Sequence, residues 1–171
     1  DTLRGAGGTD VMNGGDGNDF FDVSGTEARD DTFNGDAGHD TVRNINTGAM
    51  TFNNGTTFNS IEEIDGNNQN ILLDIGTTIA FSGLILTDVV RIIGNTGVET
   101  ITGSDGADDI DGRDGDDIIH GGDGDDTIEG GNDNDTLNGD DGDDTILGEN
   151  GDDVINGGND NDTLRGGNGV D

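Results

Sequence analysis

Between residues 103 and 171 an aliphatic residue recurs every nine positions, at Ile110, Ile119, Ile128, Leu137, Ile146, Ile155 and Leu164. The three residues centred on each are rich in Ile, Leu, Val and Thr and predict a very short strand with one inward-pointing side chain. The six residues between are rich in Gly, Asp and Asn and predict a tight turn with left-handed backbone. One aliphatic per nine residues cannot bury a core alone. Stacked copies can, because the aliphatics then form ladders inside a solenoid.

The full phrase runs GSDGADDID, GRDGDDIIH, GGDGDDTIE, GGNDNDTLN, GDDGDDTIL, GENGDDVIN, GGNDNDTLR and a shortened GGNGVD. Gly holds position 1, Asp holds position 6 and the aliphatic holds position 8. The same phrase appears earlier as GAGGTDVMN (5–13), GGDGNDFFD (14–22) and GDAGHDTVR (35–43), with inward residues Leu3, Met12, Phe21 and Val42. From Phe21 the next inward residue is Phe33, twelve positions on, so residues 23–30 carry a three-residue insertion and Asp31 fills position 6 of the bulged repeat. Residues 44–93 lose the acidic turns. Short apolar runs at Ile61/Ile64, Ile71–Ile75, Ile79–Phe81, Leu84–Leu86 and Val89–Ile93 alternate with Asn, Gly and Thr, which reads as strands. This stretch is either a part of the same solenoid with larger rungs and no acidic loops or a small separate β-domain. The phrase GNTGVETIT (94–102) already keeps the later spacing, with Glu99 in place of Asp. The organisation expected is therefore a first block at 1–43, a middle segment at 44–93 and a second block at 94–171.

Stacking lines up one aspartate per repeat, and like charges at such spacing repel unless neutralised. The donors on offer are carboxylates and turn carbonyls. There is no Cys, and the only histidines are His39 and His120, both expected to face solvent. An all-oxygen ligand set selects Ca²⁺ over zinc, copper or iron.

These nonads resemble the calcium-binding repeat of RTX proteins. The resemblance covers residues 1–43 and 94–171 and implies an all-β parallel β-roll, a β-solenoid in which two nonads make one turn. It further implies Ca²⁺ between neighbouring turns, held by position-6 aspartates and loop carbonyls. The loop pairs are then 103–108 with 121–126, 112–117 with 130–135, 121–126 with 139–144, 130–135 with 148–153, 139–144 with 157–162, and 148–153 with 166–171. The implied metal residues of the second block are Gly103, Asp105, Asp108, Gly112, Asp114, Asp117, Gly121, Asp123, Asp126, Gly130, Asn132, Asp135, Gly139, Asp141, Asp144, Gly148, Asn150, Asp153, Gly157, Asn159, Asp162 and Asp171. In the first block they are Asp10, Asp19, Asp31 and Asp40. Together the blocks imply roughly eight Ca²⁺ ions. Position 2 departs from Gly at Ser104, Arg113, Asp140 and Glu149, which a solvent-facing carbonyl donor tolerates. Position 4 departs at Asp133 and Asp160, a residue type that accepts positive φ.

Charge and composition sharpen this picture. The 171 residues carry 39 acidic and six basic side chains, all of them Arg, for a net charge of −33, with 34 Gly and no Pro, Cys, Trp or Tyr. Such a chain lies near the disorder boundary, so order is expected in the calcium-loaded state and disorder without it. The acid excess argues against nucleic acid and anionic membrane partners. No signal peptide or run of about 20 apolar residues is visible, so no membrane insertion is expected. Both ends fall within a repeat, which suggests a fragment of a longer array. The resemblance implies a calcium-binding module of a larger secreted polypeptide, exported from a Gram-negative bacterium by type I secretion and folding outside the cell, either free or at a cell surface. The alternative is a glycan- or ice-binding adhesion module. It would use an outer face, the row Thr127, Thr145 and Thr163; the opposite face, with Ile118 and Val154 around Thr136, offers only a small contact patch. No catalytic constellation emerges, and no enzyme activity is expected.

Overall fold

A computed structural model of the chain describes residues 1–5, 7–24, 28–74 and 76–171, without the side chain of Asp88. Residues 25–27 of the expected insertion, and Ile75 of an expected apolar run, lie outside the described residues. Every regular element is a strand: β1 (Thr2–Arg4), β2 (Val11–Asp16), β3 (Phe20–Val23), β4 (Thr32–Ala37), β5 (Thr41–Asn44), β6 (Met50–Phe52), β7 (Thr57–Asn59), β8 (Glu63–Leu73), β9 (Thr78–Ala80), β10 (Ile85–Ile93), β11 (Thr100–Thr102), β12 (Asp109–Asp114), β13 (Ile118–Asp123), β14 (Thr127–Asn132), β15 (Thr136–Asp141), β16 (Thr145–Asn150), β17 (Val154–Asn159) and β18 (Thr163–Asn168). All described pairings are parallel, so the fold is an all-β parallel β-solenoid. No helix among the described residues is long and apolar enough to cross a membrane, which says nothing of β-barrels.

The chain forms two compact units, residues 1–72 with 84–90, and residues 73–83 with 91–171. In the second unit consecutive strands alternate between two sheets. β12, β14, β16 and β18 neighbour one another in one, and β9, β11, β13, β15 and β17 in the other. Each residue therefore pairs with the one eighteen positions on, as Thr127 with Thr145 and Thr136 with Val154. Two nonads make one turn because each nonad supplies one strand to each sheet in alternation. Ile101, Ile110, Ile119, Ile128, Leu137 and Ile146 point between the sheets and are fully buried. Each such side chain contributes about 1.5–3 kcal/mol.

The first unit builds the same turn with larger parts. β1, β3, β5 and β8 form one sheet, with β6 on β8, and β2, β4 and β7 form another. The register step from Val11 to Thr32 is three residues longer than the eighteen of the regular turn, and Thr32 pairs in turn with Thr57. Bigger rungs need bigger fillers. Phe21, Phe33 and Phe52 are fully buried, with Phe21 edge-on to Phe33 and Phe33 stacked on Phe58, each at 5.7 Å between centroids.

Two sequence expectations need correction. The regular strands are six residues long, running from position 7 through position 3 of the next nonad, as in Thr127–Asn132. The ladder skips position 1 and resumes at positions 2 and 3, as Gly131 with Glu149 and Asn132 with Asn150. The turn is thus shorter than the Gly/Asp/Asn stretch implies, because glycine at position 1 bends the strand without ending its pairing. In the middle segment the separate runs around Ile64 and Ile71 join into one strand, β8, which bends at Asn67 and Asn68, both with positive φ. Leu86 and the run at 89–93 likewise join into β10.

The core ladder makes a direct prediction. In calcium-loaded protein, Ile128→Ala should cost about 2–5 kcal/mol in denaturant unfolding. Thr163→Ala, on the exposed face, should cost less than about 0.5 kcal/mol.

Candidate calcium-binding loops

The position-6 aspartates lead into the strands, at the point where the turn dives back toward the core. Asp117, Asp126, Asp135, Asp144 and Asp153 are all at most 3% exposed. One oxygen of each has a fixed task. Asp135 Oδ1 accepts the backbone N–H of Asp117 at 2.9 Å, and Asp144 Oδ1 that of Asp126 at 2.8 Å. The same contact joins Asp108 to Asp126, Asp135 to Asp153, Asp144 to Asp162 and Asp153 to Asp171 at 2.8–3.2 Å. In the first unit Asp31 accepts from the amide of Asp10 and Asp40 from that of Asp19, both at 2.8 Å. Glu62 takes the same place for the amide of Asp40 at 2.8 Å.

The other oxygen is the informative one. The Oδ2 atoms of Asp10, Asp19, Asp40, Asp117, Asp126, Asp135, Asp144 and Asp153 are buried and accept no hydrogen bond. Each sits against the position-1 glycine of its own loop. A methyl group on Gly112 would lie 2.6 Å from Asp117 Oδ2 and 2.7 Å from the carbonyl oxygen of Gly130. The same pairing of a carboxylate oxygen with a position-1 carbonyl recurs for Asp108 with Gly121, Asp126 with Gly139, Asp135 with Gly148, Asp144 with Gly157 and Asp153 with Gly166. In the first unit, Asp40 Oδ2 and the carbonyl of Ser60 flank Gly35. Position 1 must be glycine because a side chain would fill this oxygen-lined cradle.

Among the described residues, no three His, Cys, Asp or Glu side chains converge as a metal cluster. Each loop brings one inward carboxylate, so further ligands have to be backbone carbonyls. A buried anionic oxygen without a donor is costly, and a hard cation held by carboxylate and carbonyl oxygens answers that cost. The donor chemistry therefore fits Ca²⁺. Burial pushes the carboxyls of Asp117, Asp126 and Asp135 up to about 7 in the metal-free chain, and raises that of Asp144.

The position-3 residues behave differently. Asp114, Asp123, Asn132, Asp141, Asn150 and Asn159 are exposed, and the side chains of Asp114, Asn132, Asp141, Asn150 and Asn159 pair along the outside of the solenoid. Asn132 donates to Asp114 at 2.6 Å, Asn150 to Asn132 at 2.9 Å, and Asn159 to Asp141. Asp105 accepts from the amide of Gly83 at 3.0 Å. Any part they take in a cation site would come through the main chain.

Sequence reasoning missed position 5. The side chains of Asp116, Asp125, Asn134, Asp143 and Asp152 each accept the backbone N–H of the position-5 residue eighteen residues on, at 2.8–3.0 Å. The near-constant Asp or Asn at that position was the available signal. The reading of position 2 also needs correction. Ser104 is buried, not solvent-facing, and Arg113, Asp140 and Glu149 hold φ of 83°, 74° and 75°. That left-handed backbone disfavours any Cβ. Asp133 and Asp160 at position 4 do adopt positive φ, 79° and 75°.

The raised carboxyls set a pH dependence of opposite sign with and without metal. Folded values near 7 exceed the unfolded value of 3.8, so this contribution to metal-free stability is complete below 3.8 and is lost as pH rises through 7. In chelator, acidification from pH 7 to 4 should therefore favour the fold. Calcium must displace the same protons, so the Ca²⁺ midpoint, followed by circular dichroism, should rise several-fold between pH 8 and pH 6. A midpoint independent of pH would show that these oxygens do not meet the ion.

Compared with known families, the chain matches the RTX calcium-binding nonapeptide repeat (4 copies) over residues 1–23, 26–43, 93–128, 120–155 and 138–171. No curated protein matches the chain. The matched ranges span most of the sequence and contain every position-6 aspartate described above. The chain belongs to the RTX calcium-binding nonapeptide-repeat family.

Proposed function

We propose that this chain is a calcium-switched folding module of a larger secreted bacterial polypeptide. The chain stays largely unfolded where calcium is scarce, passes a type I export channel in that state, and folds on the Ca²⁺ it meets outside. The observation that carries this reading is the row of buried Oδ2 atoms without donors, in a chain of net charge −33. Stacking such carboxylates is costly until a cation neutralises them. Extracellular calcium modules bind at about 10⁻⁴ to 10⁻³ M. At tenfold over Kd each ion contributes about 1.4 kcal/mol. Five or six ions then reach about 7–8 kcal/mol, within the range of a whole domain's stability. In the second unit the ions sit in the five loop pairs from 112–117 with 130–135 to 148–153 with 166–171, and the module itself performs no catalysis.

A second reading, a polysaccharide-binding adhesion module, is favoured by one feature. The residues flanking the buried aliphatics of β9, β11, β13, β15 and β17 are Thr78, Ala80, Thr100, Thr102, Ile118, His120, Thr136, Asn138, Val154 and Asn156. None of these ten is acidic, in a chain with 39 acids, while Asp123, Asp140 and Asp141 lie further along the same strands. A flat neutral face with strands about 4.8 Å apart suits an uncharged linear polymer.

The deciding experiment is far-UV circular dichroism during a Ca²⁺ titration from chelator, with Mg²⁺ as control. A cooperative gain of β-structure specific to Ca²⁺ is expected, and Asp126→Asn should weaken and broaden it. A chain equally β-rich in chelator would overturn the switch and leave the neutral face as the better account. Glycan binding lost on Thr136→Lys, with calcium binding intact, would then identify that role.

A further inference from the structure

The loops of the second unit occur in two backbone states. In the first, position 2 lies in the left-handed region, at Arg113 (φ 83°), Gly122 (119°), Gly131 (120°), Asp140 (74°) and Glu149 (75°). In each of these loops the position-6 Oδ2 is buried without a donor, at Asp117, Asp126, Asp135, Asp144 and Asp153. The second state occurs at Asn95 and Ser104, which lie outside the left-handed region. There the position-2 N–H turns inward onto the loop's own carboxylate. Asn95 N–H donates to Glu99 Oε2 at 2.9 Å, and Ser104 N–H to Asp108 Oδ2 at 2.6 Å.

Each of these two loops also has a second donor. Gly76 N–H donates to Glu99 Oε1 at 2.7 Å, so both oxygens of this fully buried carboxylate are occupied. The Ser104 hydroxyl donates to Asp108 Oδ2 at 2.9 Å, on the same oxygen that faces the carbonyl of Gly121. Glu99 N–H in turn donates to Asp117 Oδ1 at 2.7 Å, which ties this closed pair to the first loop of the other kind.

Resting on the calcium reading above, we propose that Glu99 and Ser104 close the first two loops of this array to calcium, so that metal binding begins at Asp117. Glutamate's extra methylene carries Oε1 to the amide of Gly76 and Oε2 to that of Asn95, two donors that aspartate would not reach together. Serine supplies an amide and a hydroxyl to one oxygen. A cation at either carboxylate has to displace two donors and turn the position-2 peptide over. Nearby acids are neutralised by the protein as well, since Arg91 binds Asp109 at 2.6 Å, Asp111 at 3.2 Å and Glu129 at 2.7 Å. The first turn of this array is thus a calcium-independent seed on which the calcium-dependent turns assemble.

The test uses the full chain and Ca²⁺ alone. Ser104→Gly removes the hydroxyl and admits positive φ, so calorimetric titration should count one more bound Ca²⁺ than wild type. An unchanged count overturns the proposal. Hydrogen exchange in chelator gives a readout that needs no metal. The amides of Gly76, Asn95 and Ser104 should exchange more slowly than those of Asp126 and Asp135, and Glu99→Asp should abolish the protection at Gly76 and Asn95. Equal exchange at the two sets overturns the seed. A wild-type chain that takes up no Ca²⁺ refutes the calcium reading, while the exchange comparison still decides the lock.

Discussion

The fold rests on a carboxylate used on one side only. Every position-6 aspartate from Asp117 to Asp153 gives Oδ1 to a backbone amide of the neighbouring turn and leaves Oδ2 buried. The first half of that arrangement sets the spacing of the turns. On the proposed calcium reading, the second half makes the spacing conditional on a cation. A neutral Asn could accept the same amide bond, yet it would not bring the negative charge a hard cation needs. On that reading, aspartate at this position couples structure to ion binding through one side chain.

The hydrophobic part alone is thin. One buried aliphatic per nonad, such as Ile119 or Ile128, is a small core for a chain of this charge. The rest of the cohesion is polar and runs lengthwise. Position 3 contributes an outer ladder of Asn and Asp side chains, and position 5 contributes side chains that hold the amide one turn on. Where Asn follows Asp in the position-3 ladder, as Asn132 follows Asp114, a hydrogen bond stands in place of a like-charge contact. The first unit relies more on bulk, with Phe21, Phe33 and Phe52 in the centre and Asp22 held between Arg4 and Arg43.

Periodicity made the regular part legible. Position 8 marked the inward residues from Ile101 to Ile146, and the step between Phe21 and Phe33 announced the three-residue insertion seen in the pairing of Val11 with Thr32. Position 6 marked the carboxylates that the structure buries. What stayed hidden depends on backbone direction. Nothing in the letters of GSDGAD reveals that Ser104 turns its amide inward while Arg113, nine residues later, turns it away. The union of two apolar runs into β8 was hidden for a similar reason, because Asn67 and Asn68 continue the strand through positive φ where composition suggests a turn.

Position 2 therefore carries information that a consensus obscures. Glycine there is permissive, and Arg113, Asp140 and Glu149 show that other residues reach the same backbone at some cost. The conformation follows from what the position-6 oxygen can find nearby. Where a hydroxyl or a second amide is within reach, as at Asp108 and Glu99, the protein supplies its own donors. Where none is, the peptide turns outward and the oxygen stays available to a cation. A repeat array read this way is a series of local choices between internal and external neutralisation. The residues that tip each choice are the ones beside the position-6 carboxylate in space, with Asn95 and Ser104 drawn from position 2, which the nonad leaves variable.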